Sequence, residues 1–296
     1  WGGGAWGDYN DDGWLDIGLP NHPSLTSSPP EMHDSAIMRN NGDGTFTNVI
    51  YELGIKLQED WHDIAWVDYD DDGDQDLWRT AGGRGGAGEG PNSLSRQEVD
   101  GTFTEVAADA GVDYGYGRGR GTVWFDYDLD GDLDMYFTGA DSSSGPVYSP
   151  NTMFRNNLQE TGQATFTDVE QLGTSPFIGA NSQVSVADYD MDGDEDLIVT
   201  GYSPGTTLYR NDGGTFTNAN SSAGIATEGG GASAASSAAE SALRTASEIS
   251  PGANGLVTKS LAPARTAETP CVSPSRPPTR MTGRSGQRRA AADSSS

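Results

Sequence analysis

Four nine-residue stretches of this chain place oxygen-bearing side chains at fixed intervals: 8–16 (DYNDDGWLD), 68–76 (DYDDDGDQD), 126–134 (DYDLDGDLD) and 188–196 (DYDMDGDED). Positions 1, 3, 5 and 9 carry carboxylates or an amide: Asp8, Asn10, Asp12, Asp16; Asp68, Asp70, Asp72, Asp76; Asp126, Asp128, Asp130, Asp134; Asp188, Asp190, Asp192, Asp196. A tight loop of this kind turns its odd positions inward. Calcium takes about six to eight oxygens, which such a loop can supply. Position 7 would give its backbone carbonyl, so its side chain is free to vary: Trp14, Asp74, Asp132, Asp194. Glycine at position 6 lets the backbone take φ > 0. These twenty positions are the candidate ligands of about four Ca2+ ions.

Charge strengthens the reading. The windows hold 21 of the 39 acidic residues found in residues 1–226. Two like charges 4 Å apart repel by about 4 kcal/mol at an effective dielectric near 20. A solvated acidic turn does not explain four copies with glycine at one position. An EF-hand needs Glu at position 12, where this chain has Leu19, Arg79, Phe137 and Val199. Magnesium keeps more water and fewer protein ligands.

The elements that must hold these loops repeat with them, in units of about 60 residues. Each window is followed by an Arg marker (Arg39, Arg96, Arg155, Arg210), a Thr-Phe pair (Thr45-Phe46, Thr102-Phe103, Thr165-Phe166, Thr215-Phe216) and a closing Gly turn (Gly54, Gly111, Gly173, Gly224). Apolar residues two apart flank each window, such as Ile64 and Trp66 before it or Met135 and Phe137 after it. Period two with aromatic and β-branched residues predicts half-buried strands. Each unit holds about four, and no segment shows a helical run. The expected fold is all-β: a β-propeller of four-stranded antiparallel blades. The repeats span about 1–56, 57–113, 114–176 and 177–226, and four blades read better as an incomplete ring than a closed one.

Residues 1–226 carry 9 Lys+Arg against 39 Asp+Glu, which argues against nucleic acid or an anionic membrane surface as partner. One Cys excludes an intrachain disulfide scaffold. No apolar stretch is long enough to span a membrane. Residues 227–296 differ. They lack Phe, Trp and Tyr, carry 8 Lys+Arg against 5 Asp+Glu, and are expected to be a low-complexity disordered tail, either a linker or a frame-shifted end. The chain opens at Trp1 rather than Met, so an absent signal peptide says nothing about secretion.

The order D-x-D-x-D-G-x-x-D, then Arg39-Asn40-Asn41-Gly42-Asp43-Gly44-Thr45-Phe46, then a closing turn resembles FG-GAP/VCBS repeats, as in integrin α-subunits and the cartilage acidic protein and UnbV-like branch. The resemblance covers residues 1 to about 226. It implies calcium between the first two strands of each blade and partners on loops of the other face. The second repeat departs from it at Arg96-Gln97-Glu98-Val99-Asp100.

Other motifs carry less. Gly83-Arg84-Gly85-Gly86-Ala87-Gly88 matches a dinucleotide fingerprint, but Pro91 follows where a helix should start. His22, His33 and His62 lack metal-ligand spacing, no G-x-S-x-G occurs, and Lys56 and Lys259 are the only lysines. Arg118-Gly119-Arg120 reads as a salt bridge to the acidic surface. Trp6, Trp66 and Trp124 align and read as core between blades. Asn220-Ser221-Ser222 matches a glycosylation pattern. No catalytic constellation is recognised. The expected function is a calcium-binding interaction or adhesion module, secreted or on a cell surface, with a protein or glycan ligand. The alternatives are a propeller domain of a secreted polysaccharide lyase, or a lectin.

Overall fold

The computed structural model describes residues 3–21, 35–55, 61–82, 91–113, 118–140, 151–169, 181–201 and 205–225. The tail, the 83–88 glycine loop, His22, His33 and Gly173 lie outside the described residues. The described chain is all-β and forms four four-stranded antiparallel sheets, each in sequence order.

The first blade is β1 (Ala5–Gly7), β2 (Asp16–Leu19), β3 (Ala36–Asn40) and β4 (Phe46–Asn48). The second is β5 (Trp61–Val67), β6 (Asp76–Ala81), β7 (Ser93–Gln97) and β8 (Phe103–Glu105). The third is β9 (Arg118–Phe125), β10 (Asp134–Ala140), β11 (Thr152–Asn156) and β12 (Phe166–Asp168). The fourth is β13 (Asn181–Ala187), β14 (Asp196–Gly201), β15 (Thr207–Asn211) and β16 (Phe216–Asn218). This is the blade architecture of a partial β-propeller.

Three apolar clusters join successive blades. The first holds Tyr9, Ile37 and Val49 of blade one with Trp66, Leu77 and Phe103 of blade two. The second brings Tyr69 and Leu94 against Met135, Phe137 and Phe166. The third brings Tyr127 and Met153 against Leu197, Val199 and Phe216. One apolar face of each sheet, set by period two, packs on the next blade.

Three details depart from the sequence reading. Four-residue helices α1 (Ala107–Ala110), α2 (Leu158–Thr161) and α3 (Asn220–Ala223) occur, each closed by a left-handed glycine (Gly111, Gly162, Gly224). A single turn is too short to produce a helical apolar stripe. Trp66 is buried at 8% exposure, but Trp6 is 58% exposed, because no described blade covers the outer side of the first sheet. Asn220 is no glycosylation acceptor here: its side chain is buried, accepting from Leu208 N–H (2.7 Å) and donating to Thr206 O (2.8 Å).

In blade two, buried Arg79 meets Glu105 at 3.3 Å, hydrogen-bonds Ser93 and Ser95, and stacks over Trp61 (4.4 Å). Leu19, Phe137 and Val199 hold the equivalent position elsewhere. The ion pair is a local replacement of apolar packing.

Candidate metal centre

Each acidic window links the first two strands of its blade. The register pairs Gly7 with Asp16, Val67 with Asp76, Phe125 with Asp134 and Ala187 with Asp196. Position 9 therefore opens the second strand directly opposite the residue that precedes position 1.

Position 1 folds the loop. Both oxygens of Asp8 accept backbone N–H groups, from Asp12 (3.0 Å) and Gly13 (2.8 Å). Asp126 does the same with Asp130 and Gly131, both 3.0 Å. Asp68 and Asp188 repeat the pattern at 3.2 Å. Position 5 accepts the N–H of position 7: Asp12 from Trp14, Asp72 from Asp74, Asp130 from Asp132 and Asp192 from Asp194.

Two left-handed residues make the turn tight. Position 6 is glycine at φ 88° to 105° (Gly13, Gly73, Gly131, Gly193). A Cβ on Gly13, Gly73 or Gly193 would meet nothing within 4 Å, so φ rather than space demands glycine. Position 4 is also left-handed, in Asp11, Asp71, Leu129 and Met191 (φ 55° to 61°). Such a backbone costs a non-glycine residue roughly 1–2 kcal/mol. Residue type does not mark it, since position 4 is Asp in the first two loops but Leu129 and Met191 in the last two.

Position 9 is locked by the Arg-Asn marker. Asp16, Asp134 and Asp196 accept the N–H of Asn40 (2.7 Å), Asn156 (2.7 Å) and Asn211 (2.8 Å), and Asp76 accepts that of Gln97 (2.8 Å). Asp134 and Asp196 take a second bond from Tyr127 (3.1 Å) and Tyr189 (2.9 Å), and Asp76 a longer one from Tyr69 (3.4 Å). The marker follows its window along the chain because the third strand must reach this carboxylate.

Positions 1, 3 and 9 converge. In Asp68/Asp70/Asp76, Asp126/Asp128/Asp134 and Asp188/Asp190/Asp196, one oxygen from each residue lies within 4.8 Å of the others. The first loop has Asn10 at position 3, whose Oδ1 accepts the Asp12 N–H at 3.1 Å beside Asp8 Oδ1. Position 5 lies outside these triads, held to the backbone as described.

Position 7 varies in what its side chain does. Its side chain is tied down in the last two loops: Asp132 accepts from Gln159 N–H (2.9 Å) and Asp194 from Gly213 N–H (2.8 Å). Trp14 is exposed. Glu160, which sequence spacing did not flag, joins Asp130 and Asp132 in a fourth carboxylate group, and Arg155 Nη1 lies 3.3 Å from it. Only the third repeat has α2 between its third and fourth strands, so no repeat comparison could have marked Glu160.

The donors fit a hard cation. Buried Oδ1 atoms of Asp70 and Asp128, and Oδ2 of Asp16, lack a hydrogen-bond partner. A buried acceptor without a donor is costly unless something else binds it. Burial pushes Asp76 up to about 8 and Asp134 to about 9, despite the backbone N–H bonds that oppose it. Burial raises Asp196 and Asp70 to about 6, and the Asp72 and Asp68 charges add to the rise at Asp70. Burial is also the main cause of the upward shifts of Asp16, Asp68, Asp126 and Asp128. Bringing these carboxylates together in ionised form calls for a counter-charge.

Elsewhere, His62 sits inside β5 and is buried, with Nδ1 3.1 Å from Gly119 O and 3.0 Å from Arg120 Nη1. Among the described residues no helix is long and apolar enough to cross a membrane.

The site belongs to a class defined by its fold: a loop of clustered carboxylates between the first two strands of a propeller-like blade. No protein-family model matches the chain. No curated protein matches it either. Among solved structures, the chain is similar to a rhamnogalacturonan lyase of Bacillus licheniformis at 17% identity and a TM-score of 0.41. The match covers 73% of this chain and 50% of that one, so this chain spans about half its length.

Proposed function

We propose that this chain is a calcium-binding module of the FG-GAP/VCBS type, secreted or on a cell surface, that presents its loops to a protein or glycan partner. The observation that carries the reading is the convergence of three Asp side chains in each of three loops, with buried oxygens that no donor satisfies. Positions 1, 3 and 9 would hold the ion, with positions 5 and 7 completing the shell. A bound divalent ion neutralises the crowded carboxylates and offsets the strained position 4. The loop then becomes a rigid link between the first two strands, and rigid loops bind partners at lower entropic cost. Extracellular modules bind calcium at about 10⁻⁴–10⁻³ M, which suits such partly exposed sites.

Calorimetric titration of the metal-free chain tests this. The expected result is saturable Ca2+ binding at about four sites, weak competition from Mg2+, and a melting temperature raised in millimolar Ca2+. No heat of binding and an unchanged melt would overturn the reading.

A further inference from the structure

The third loop gathers carboxylates at a second place besides its triad. One oxygen each of Asp130, Asp132 and Glu160 lies within 4.8 Å of the others, and none of the three residues belongs to the Asp126/Asp128/Asp134 group. Backbone bonds fix the two aspartates. Asp130 Oδ1 accepts the Asp132 N–H (3.2 Å), and Asp132 Oδ2 accepts the Gln159 N–H (2.9 Å). Asn156, which ends β11, holds the loop and α2 together. Its Nδ2–H donates to Leu133 O (3.2 Å), and its Oδ1 accepts the Leu158 N–H (3.2 Å). Glu160 follows two residues later, inside α2.

The oxygens that these bonds leave over point to a ligand. Asp132 is buried at 4% exposure, and its Oδ1 has no hydrogen-bond partner. Asp130 Oδ2 is buried without one as well. Such acceptors are costly unless something else binds them. Asp74 and Asp194, at the same loop position as Asp132, also carry a buried Oδ1 without a donor. Among the described residues, however, no third carboxylate joins them. The third repeat completes the group because α2 carries Glu160 to it. Charge points the same way. Arg155 Nη1 lies 3.3 Å from Glu160 Oε1, with both side chains partly exposed, and exposed pairs hold weakly. Three carboxylates against one guanidinium leave two negative charges, the amount that a divalent cation neutralises.

We infer that Asp130, Asp132 and Glu160 form a second Ca2+ site on the third loop, beside the one that its Asp triad would hold. The inference rests on the calcium reading of that loop. The Glu160 side chain is 41% exposed, so water can fill the positions that the three carboxylates leave. Calcium takes about six to eight oxygens, with water among them. The ion ties α2 to the acidic loop, two segments that lie 27 residues apart at the Gln159–Asp132 bond. A proton shared between Asp130 and Asp132 is the competing arrangement. It needs no cation and gives Glu160 no part.

Equilibrium dialysis of the full chain at saturating Ca2+, with the bound ions counted, tests the inference. The parent is expected to bind one ion more than one per acidic loop. Glu160→Gln binds one ion fewer than the parent. Asp132→Asn does the same, although its amide oxygen can still accept the Gln159 N–H. Arg155→Gln removes the same ion pair as Glu160→Gln but keeps every ion. Circular dichroism of all three variants matches that of the parent. Three results would overturn the inference. The first is a Glu160→Gln chain that binds as many ions as the parent, as a shared proton or a plain ion pair with Arg155 requires. The second is an Arg155→Gln chain that loses an ion as Glu160→Gln does, which makes the ion pair the cause of the loss. The third is a parent that binds no Ca2+ at all. The first two strike the second site and leave the triads as Ca2+ sites, whereas the third strikes the calcium reading with it.

Discussion

The first and third loops share a nonapeptide pattern and differ in almost everything around it. The third lies in a blade packed on both sides. Asp134 is fully buried and accepts two backbone N–H groups, Asp132 is pinned to Gln159, and Glu160 adds a further carboxylate. The first lies in the blade with an uncovered face. It has Asn10 in place of an aspartate, Trp14 exposed at position 7, and no partner for Asp16 Oδ2. The motif therefore sets the turn, and the neighbouring blade sets how much charge that turn must carry out of water. Repeats with one ligand spacing can then differ in affinity and in cation dependence.

Removing position 9 in each loop is the strongest way to break this comparison. Asp134→Ala strips two buried N–H groups of their acceptor as well as a ligand, and is expected to cost about 3 kcal/mol in urea unfolding. Asp16 is just as buried, but Asp16→Ala strips only one such bond, from Asn40 N–H, and is expected to cost about 1 kcal/mol. Equal costs would mean that the neighbouring blade contributes nothing to the difference.

The same buried carboxylates set the pH dependence of the metal-free chain. Burial holds Asp134 near 9 and Asp76 near 8, above the ordinary 3.8. Between about 4 and those values the folded chain keeps protons that the unfolded chain releases. Stability without cation is thus fully present below about pH 4 and declines as pH rises through 8 to 9, by about 1.4 kcal/mol per unit for each such group. Calcium, which binds the ionised carboxylates, should flatten or reverse that slope. Thermal melts at pH 5 and pH 8, each with and without Ca2+, check the sign. A metal-free chain that melts higher at pH 8 would contradict it.

The blades and the loops were legible for one physical reason: both depend on short-range periodicity repeated four times. Alternation marked the strands, and the recurring Gly13, Gly73, Gly131 and Gly193 marked a backbone that only glycine adopts easily. Part of what escaped was set by contacts across the repeat boundary, and part by features that occur in a single repeat. Trp6 and Trp66 look alike in sequence, yet one is exposed and the other buried, because burial depends on whether a blade lies against that face. The Asn156 amide reaches back 87 residues to Tyr69, a distance no local window spans. Glu160 and the Arg79–Glu105 pair each occur in a single repeat, so alignment of the repeats offered no signal for them. Position 4 took a left-handed backbone with Leu129 and Met191 in it, which residue type alone does not disclose.

The smallest expected effect sharpens the comparison instead of breaking it. Asn10→Asp gives the first loop the Asp triad of the other three. The added carboxylate meets Asp8 and Asp16, so the metal-free chain should lose a few tenths of a kcal/mol in this partly exposed setting. Ca2+ affinity of the first site should rise several-fold, because one more ionised oxygen faces the ion. Titration calorimetry separates the two effects, since the weakest of the fitted sites should be the one that shifts. If the affinity stays put while the metal-free stability falls, position 3 of the first loop does not face the ion, and the outer blade holds its cation through other oxygens.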